Sequence, residues 1–303
     1  MGWWRSSRDA AITARVATVS DRPAVSMLLA NAWWRHGTPA LEDQVALLQG
    51  GVSAIALARN QCVGMLGLSV REPAGDPVER WADVASVAVL GGRSPTKTLR
   101  VLLEVALGKL NERGVTGLVC LTSDSWLTAA LSDVGFLEDD RVIGYARSGH
   151  LLPTSGAAGP ARVRPARSHE SGVVLALNSA AFAPIWRYDS STILSWLLTA
   201  DHPVLAETAA GPAGFALTTA SRDSEYAQLV RIAIAPPFQG LGIGRQMVID
   251  AIHYASEIGA GGLCLNTQAS NTTSRRMYEG LGFRLTGQIV SVLVLRTQTL
   301  GGV

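Results

Sequence analysis

The chain repeats one order of sequence features, with an offset close to 147 residues (282 − 135 = 147 for the Gly-Phe pairs Gly135-Phe136 and Gly282-Phe283). Ala14-Arg15-Val16 is matched by Ala161-Arg162-Val163. An alanine-rich stretch ending in tryptophan follows in both halves, at Trp33-Trp34 and at Trp186. Then come Cys62-Val63-Gly64 and Pro212-Ala213-Gly214, and the apolar runs Ser86–Val89 and Arg231–Ile234. Each half next carries apolar residues at helical spacing: Leu99, Leu102, Leu103, Ala106 and Leu110, then Met247, Val248, Ala251, Ile252, Ala255 and Ile258. Such a chain folds as two copies of one unit. The small, turn-rich stretch 148–160 reads as a linker between domains at 1–147 and 161–303. Strands alternating with helices and followed by late strands, Val290–Leu295 last, predict a mixed α/β sheet in each copy.

Composition narrows the function classes. Lys plus Arg is 26 and Asp plus Glu is 24, a net charge of +2 that gives no bulk attraction to nucleic acid or membrane. The dispersed Cys62, Cys120 and Cys264 suggest neither a disulfide scaffold nor, with five scattered histidines, a metal site. The sequence has no apolar signal core and no apolar run of spanning length, so the expectation is a cytoplasmic protein with reduced thiols.

The second copy carries the chemistry. After the apolar run Ile232-Ala233-Ile234, the prolines Pro236-Pro237 end a strand, and Gln239-Gly240-Leu241-Gly242-Ile243-Gly244-Arg245 opens directly into the long helix. A glycine loop at a helix start aims backbone N–H groups and the positive helix end at one spot, which suits a pyrophosphate. A dinucleotide-binding loop would read Gly-x-Gly-x-x-Gly near the start of its domain. Here the spacing is Gly-x-Gly-x-Gly and comes late. Further on, Asn271 can cap a helix beginning Thr272-Thr273-Ser274. Tyr278 lies two turns along it, and Gly280 and Gly282 end it.

These two motifs, 32 residues apart (271 − 239), resemble those of the GNAT superfamily of N-acetyltransferases. The loop Gln239–Gly244 is similar to the family's acetyl-CoA loop, and Asn271–Phe283 to its following signature, with Ser274 at the small position. The resemblance covers 161–296, and the first half shares it only in outline. It implies two tandem GNAT-like domains, the N-terminal copy degenerate, with acetyl-CoA as co-substrate and no metal. It further implies that backbone groups at Ile232, Ala233 and Ile234 bond the pantetheine arm and that Gln239–Gly244 with Arg245 hold the pyrophosphate. Asn271 would meet the pantetheine and Tyr278 the thioester sulfur. In the family, an amine attacks the thioester directly.

The general base that relatives place on neighbouring strands is an amide here, Gln228 or Asn266. Ribosomal-protein alanine acetyltransferases, similar in the second half, keep a glutamate at the latter position. Glu225 is an alternative base with no fixed direction. Without a base, either water relays the proton or the acceptor arrives already partly neutral. An α-amine of pKa about 8 is about a tenth neutral at pH 7, and a lysine of about 10.4 only a few parts in ten thousand, a difference of about 3.4 kcal/mol. A protein N-terminus or small α-amine is therefore favoured over lysine.

Trp186 and Tyr188 are candidates for an acceptor wall or for core packing, and Arg275-Arg276 for the 3′-phosphate or for solvent. His253 is three positions from Asp250 and reads as a solvated pair. In the first copy, Pro95 and Lys97 interrupt the loop position, while Asp124 and Leu131 stand opposite Asn271 and Tyr278 (271 − 147 and 278 − 147), so it reads either as a degenerate supporting copy or as one whose Gly91-Gly92-Arg93-Ser94 and Lys97 still bind an anion such as CoA without turnover. The tandem layout also resembles mycothiol synthases in broad architecture, without a substrate motif. Two functions stay open: an N-acetyltransferase acting on an amine-bearing small molecule or peptide, and a catalytically silent acyl-CoA-binding regulator.

Overall fold

The computed structural model describes residues 11–37, 47–72, 79–149, 159–220 and 225–297. Most of the linker stretch 148–160 lies outside the described residues. The described chain forms two compact units. Unit 1 holds residues through Arg71, those up to Asp140, and those from Val290; unit 2 holds Glu72 and Arg141–Ile289.

Unit 1 begins with β1 (Thr13–Val16), α1 (Arg22–Asn31) and β2 (Ala32–His36), followed by β3 (Val52–Ala58), β4 (Gln61–Val70) and β5 (Trp81–Leu90). Then come α2 (Pro95–Glu112), β6 (Gly117–Thr122) and α3 (Ser125–Ser132). The strand β7 (Leu137–Ser148) passes from unit 1 into unit 2 after Asp140. In α2 the predicted stripe Leu99, Leu102, Leu103, Ala106 and Leu110 is buried against the sheet. Ser94 caps its start by accepting the Lys97 N–H at 3.3 Å.

Unit 2 continues with β8 (Arg162–Pro165), α4 (Ser171–Ala181), α5 (Ser190–Thr199), β9 (His202–Thr208), β10 (Gly211–Ala220) and β11 (Tyr226–Ile234). It ends with α6 (Ile243–Glu257), β12 (Gly262–Gln268), α7 (Thr272–Gly280) and β13 (Arg284–Arg296), which crosses into unit 1 at Val290. On α6, Met247, Val248, Ala251, Ile252 and Ala255 are buried as the periodicity predicts, while Ile258 lies just past the helix and is exposed. Among the described residues no helix is long and apolar enough to cross a membrane.

The unit boundaries differ from a division of the chain into consecutive halves. In unit 2, Val142–Ser148 of β7 pair antiparallel with Gly262–Gln268 of β12. In unit 1, Ser291–Arg296 of β13 pair with Gly117–Thr122 of β6. Each late strand thus completes the sheet begun by the other half of the sequence. The physical reason is the ladder: an uncovered edge beside β6 or β12 would leave a row of backbone groups without partners. The exchanged strand also fills unit 2's core, where Tyr145 is fully buried among Leu265, Tyr278 and Phe283. A chain cut to residues 161–303 loses that strand and that ring. It should aggregate or lose its near-ultraviolet circular dichroism, while a chain beginning at residue 137 retains more of both.

Candidate active site

The site begins with two strands that part. The parallel ladder between β11 and β12 joins Tyr226–Leu229 to Gly262–Leu265 and then stops, although β11 runs on to Ile234 and β12 to Gln268. On its other edge β11 pairs with β10 from Ala227 to Ile234, with a register shift at Val230. Among the described residues, the edge of β11 from Ile232 to Ile234 that faces away from β10 therefore has no strand partner, leaving hydrogen-bonding groups for something else to satisfy. The Gln239 side chain takes one of them, donating to the Ile234 carbonyl at 2.9 Å.

A bulge turns this segment toward the site. Leu217 pairs with Arg231 and Thr218 with Leu229, so Val230 is an extra residue on β11. Before it, Ala227 and Leu229 enter the core that holds α6 and Tyr278; after it, Ile232 and Ile234 do so, while Ala233 joins the cluster around α4 and α5. Ile232, Ala233 and Ile234 line a cavity of about 500 Å³ within unit 2.

The glycine loop forms the next wall. Gly240 and Gly242 have φ of +77° and +85°, the left-handed region. A side chain at either would meet open space, so the backbone angle and not crowding calls for glycine there. Gly242 is the N-cap of α6, a position with no side chain to cover the helix's first N–H groups. Gln239, Gly240, Gly242, Ile243, Gly244 and Arg245 line the cavity, whereas Leu241 points to solvent and does not.

The third wall is α7. Asn271 caps it, its side-chain oxygen accepting the Ser274 N–H at 3.1 Å, which leaves the amide nitrogen as the group able to donate elsewhere. Tyr278 also lines the cavity although its residue is only 4% exposed. Its ring is held between Tyr145 (6.2 Å between centroids) and Phe283 (5.8 Å). Burial pushes its phenol up to about 12, against a smaller opposing effect from its hydrogen bond with Ser274. The hydroxyl is therefore protonated at neutral pH and can donate a proton.

The remaining sequence candidates lie elsewhere. Gln228 and Asn266 are exposed and do not line the cavity; they project from the sheet face opposite that of Leu229 and Leu265. Glu225 precedes Ile232 by seven residues, roughly 23 Å along a strand at ~3.3 Å per residue. Its side chain lies against Gly261, so it is no base for this cavity. Tyr188 packs edge-on against Trp196 at 4.5 Å, and the Trp186 carbonyl accepts from Arg231 at 2.6 Å. Phe182 lines the cavity in their place, at the end of α4. Its position after a helical run gives no sequence signal distinguishing it from core. Arg275 is engaged with the Tyr145 hydroxyl and the Ala269 carbonyl, while Arg276 is exposed. Asp250 pairs with His202 at 2.7 Å and not with His253, whose Nε2 is buried. Cys264 is half-buried and burial raises its thiol pKa, which argues against a nucleophile.

Residues 174–283 match the model of the Acetyltransferase (GNAT) family. The mycothiol acetyltransferase of Nocardia farcinica (strain IFM 10152) is 33% identical over 93 residues, covering 29% of this chain and 31% of that protein. The mycothiol acetyltransferase of Rhodococcus opacus (strain B4) is 27% identical over 129 residues, covering 36% and 41%. The matches thus span less than half the length of these curated relatives. Among solved structures, a tandem GNAT protein from the clavulanic acid biosynthesis pathway superposes with a TM-score of 0.58 at 15% identity, covering 95% of this chain and 99% of its own. A GCN5-related N-acetyltransferase from Sphaerobacter thermophilus gives 0.57 at 13% identity, covering 94% and 96%. These likenesses show the fold.

Two glycine substitutions separate backbone strain from cavity shape. Gly242→Ala forces a left-handed angle on a Cβ and should destabilise the protein by about 1 kcal/mol in urea unfolding. Gly244→Ala meets Ile234 and Met277 only at ordinary contact distance, 3.6 and 3.9 Å, inside a helix. It should leave stability unchanged or slightly raised while narrowing the cavity wall.

Proposed function

With residues 174–283 a GNAT-family acetyltransferase domain, we propose that the protein transfers an acetyl group from acetyl-CoA to a primary amine, with unit 2 as the catalytic unit. One observation carries the reading: an unpaired strand edge, an uncovered helix N-terminus and a buried, protonated phenol line the same cavity. A pantetheine arm offers amides in series, which suit the open edge at Ile232–Ile234 as another strand would. The first-turn amides of α6, with Arg245 beside them, suit the pyrophosphate. Asn271 supplies a side-chain amide donor for the arm. Tyr278 donates to the sulfur as CoA leaves, so that the leaving group departs as a thiol.

The acceptor amine attacks the thioester carbonyl directly in this scheme. The described residues lining the cavity include no aspartate, glutamate or histidine to deprotonate the incoming amine; once the amine has attacked, its ammonium proton passes to the phenolate that Tyr278 leaves on protonating the sulfur. The lack of such a base supports an acceptor already partly neutral, a protein N-terminus or a small α-amine in preference to lysine. The relatives named mycothiol acetyltransferases make small-molecule amines a natural part of any acceptor panel. The absence of a carboxylate also favours the second reading, an acyl-CoA-binding regulator without turnover.

Thiol release from acetyl-CoA across a panel of α-amines, lysine peptides and peptide N-termini decides between the two. Catalysis predicts release with an α-amine, and Tyr278→Phe should lower kcat about 10²-fold while the KM for acetyl-CoA changes little. No release with any amine, despite CoA binding, would establish the regulator.

The pH dependence follows from the same groups. The rate should rise through the acceptor's pKa of about 8. It should then hold without an alkaline decline up to pH 10, since Tyr278 stays protonated until about 12. Glu225→Gln should leave this profile unchanged.

A further inference from the structure

Unit 1 repeats the parting of strands seen in unit 2. Its β5 and β6 pair in parallel only over Trp81–Asp83 with Gly117–Val119, although β5 continues to Leu90 and β6 to Thr122. Aligned on the apolar runs (231 − 86 = 145), Val87, Ala88 and Val89 correspond to Ile232, Ala233 and Ile234. In unit 1 this edge is not open. Strand β2 lies on it antiparallel, pairing His36 with Val87, Arg35 with Ala88, Trp34 with Val89 and Ala32 with Leu90.

The side chains around β2 hold it there. Trp34 packs on Trp126 of α3, with 5.5 Å between ring centroids. Asp124, which stands where unit 2 has Asn271, makes no side-chain cap on its helix and instead meets His36 Nδ1 at 3.2 Å. The Thr122 hydroxyl lies 3.4 Å from the same nitrogen. At the helix start, the Ser94 hydroxyl already accepts the Lys97 N–H and Pro95 has no N–H to give. Leu131, fully buried, replaces the phenol of Tyr278.

Resting on the reading of unit 2 as an acyl-CoA site, we infer that β2 is a built-in occupant of the corresponding groove in unit 1. Its backbone satisfies the edge that a pantetheine would otherwise bond, by the same chemistry as strand addition. The full chain therefore has a single acyl-CoA site, in unit 2.

Calorimetric titration of the full-length protein with CoA, paired with hydrogen exchange, tests this. The expected result is one equivalent of CoA per chain, lost in Gly242→Val. Amides of Ile232–Arg245 should slow on binding. Those of Ala32–His36 and Val87–Leu90 should already be slow in the unliganded protein and stay unchanged. Two equivalents would overturn the inference, as would one equivalent surviving Gly242→Val, new protection at Val87–Leu90, or fast exchange of the β2 amides. No binding by the unsubstituted protein would overturn the reading of unit 2 itself, and the single-site inference with it, a failure distinct from a second site.

Discussion

Unpaired backbone at the end of a central strand is the constraint on which this molecule turns. A buried N–H or C=O left without a partner costs about 1–3 kcal/mol, so two parallel strands that separate must each have their exposed edges met by water, ligand or protein. Among the described residues, unit 2 keeps the edge of β11 free of a strand partner beside a cavity, and the Gln239 side chain reaches back to it. Unit 1 closes the corresponding edge of β5 with β2. Two copies of one topology thus differ at this edge through the segment after their first helix. That segment is a strand in unit 1; in unit 2 it is a short turn at Pro184–Trp186 leading into α5.

Opening an edge is useful only if the side chains beside it are aimed well. The bulge at Val230 does this by reversing the alternation of β11, so that isoleucines on both sides of it serve the same core. The positive φ at Gly242 lets the chain turn sharply into α6 with its first amides uncovered. Tyr278 gains its high pKa from the packing that orients it, because the rings of Tyr145 and Phe283 that hold it also exclude water. Orientation and protonation state therefore share one physical cause.

The exchange of late strands means that each sheet is completed by a strand from the other half of the sequence. β12 takes its neighbour from Val142–Ser148, and β6 takes its neighbour from Ser291–Arg296. Tyr145, which supports Tyr278 from behind and donates to Glu279 at 2.7 Å, arrives on the first of these. A duplicated chain that reciprocally completes its sheets ties the packing of unit 2 to residues encoded before the linker.

Local chemistry made much of this readable in the sequence. Helical spacing gave α2 and α6 their buried faces, the glycine run marked a tight turn into a helix, and Asn271 announced a cap, because each effect acts within a few residues along the chain. The repeat itself was visible for the same reason. The partner of each late strand was hidden, since an apolar strand reads alike whichever edge it joins. Phe182 looked like core, and Glu225 looked near enough to act until the length of β11 separated it from the cavity. The fates of His36 and Asp124, 88 residues apart, were equally invisible. Sequence determined which elements form and which backbone angles they require; only the tertiary structure decided which edges are open, because that depends on what distant segment comes to lie beside them.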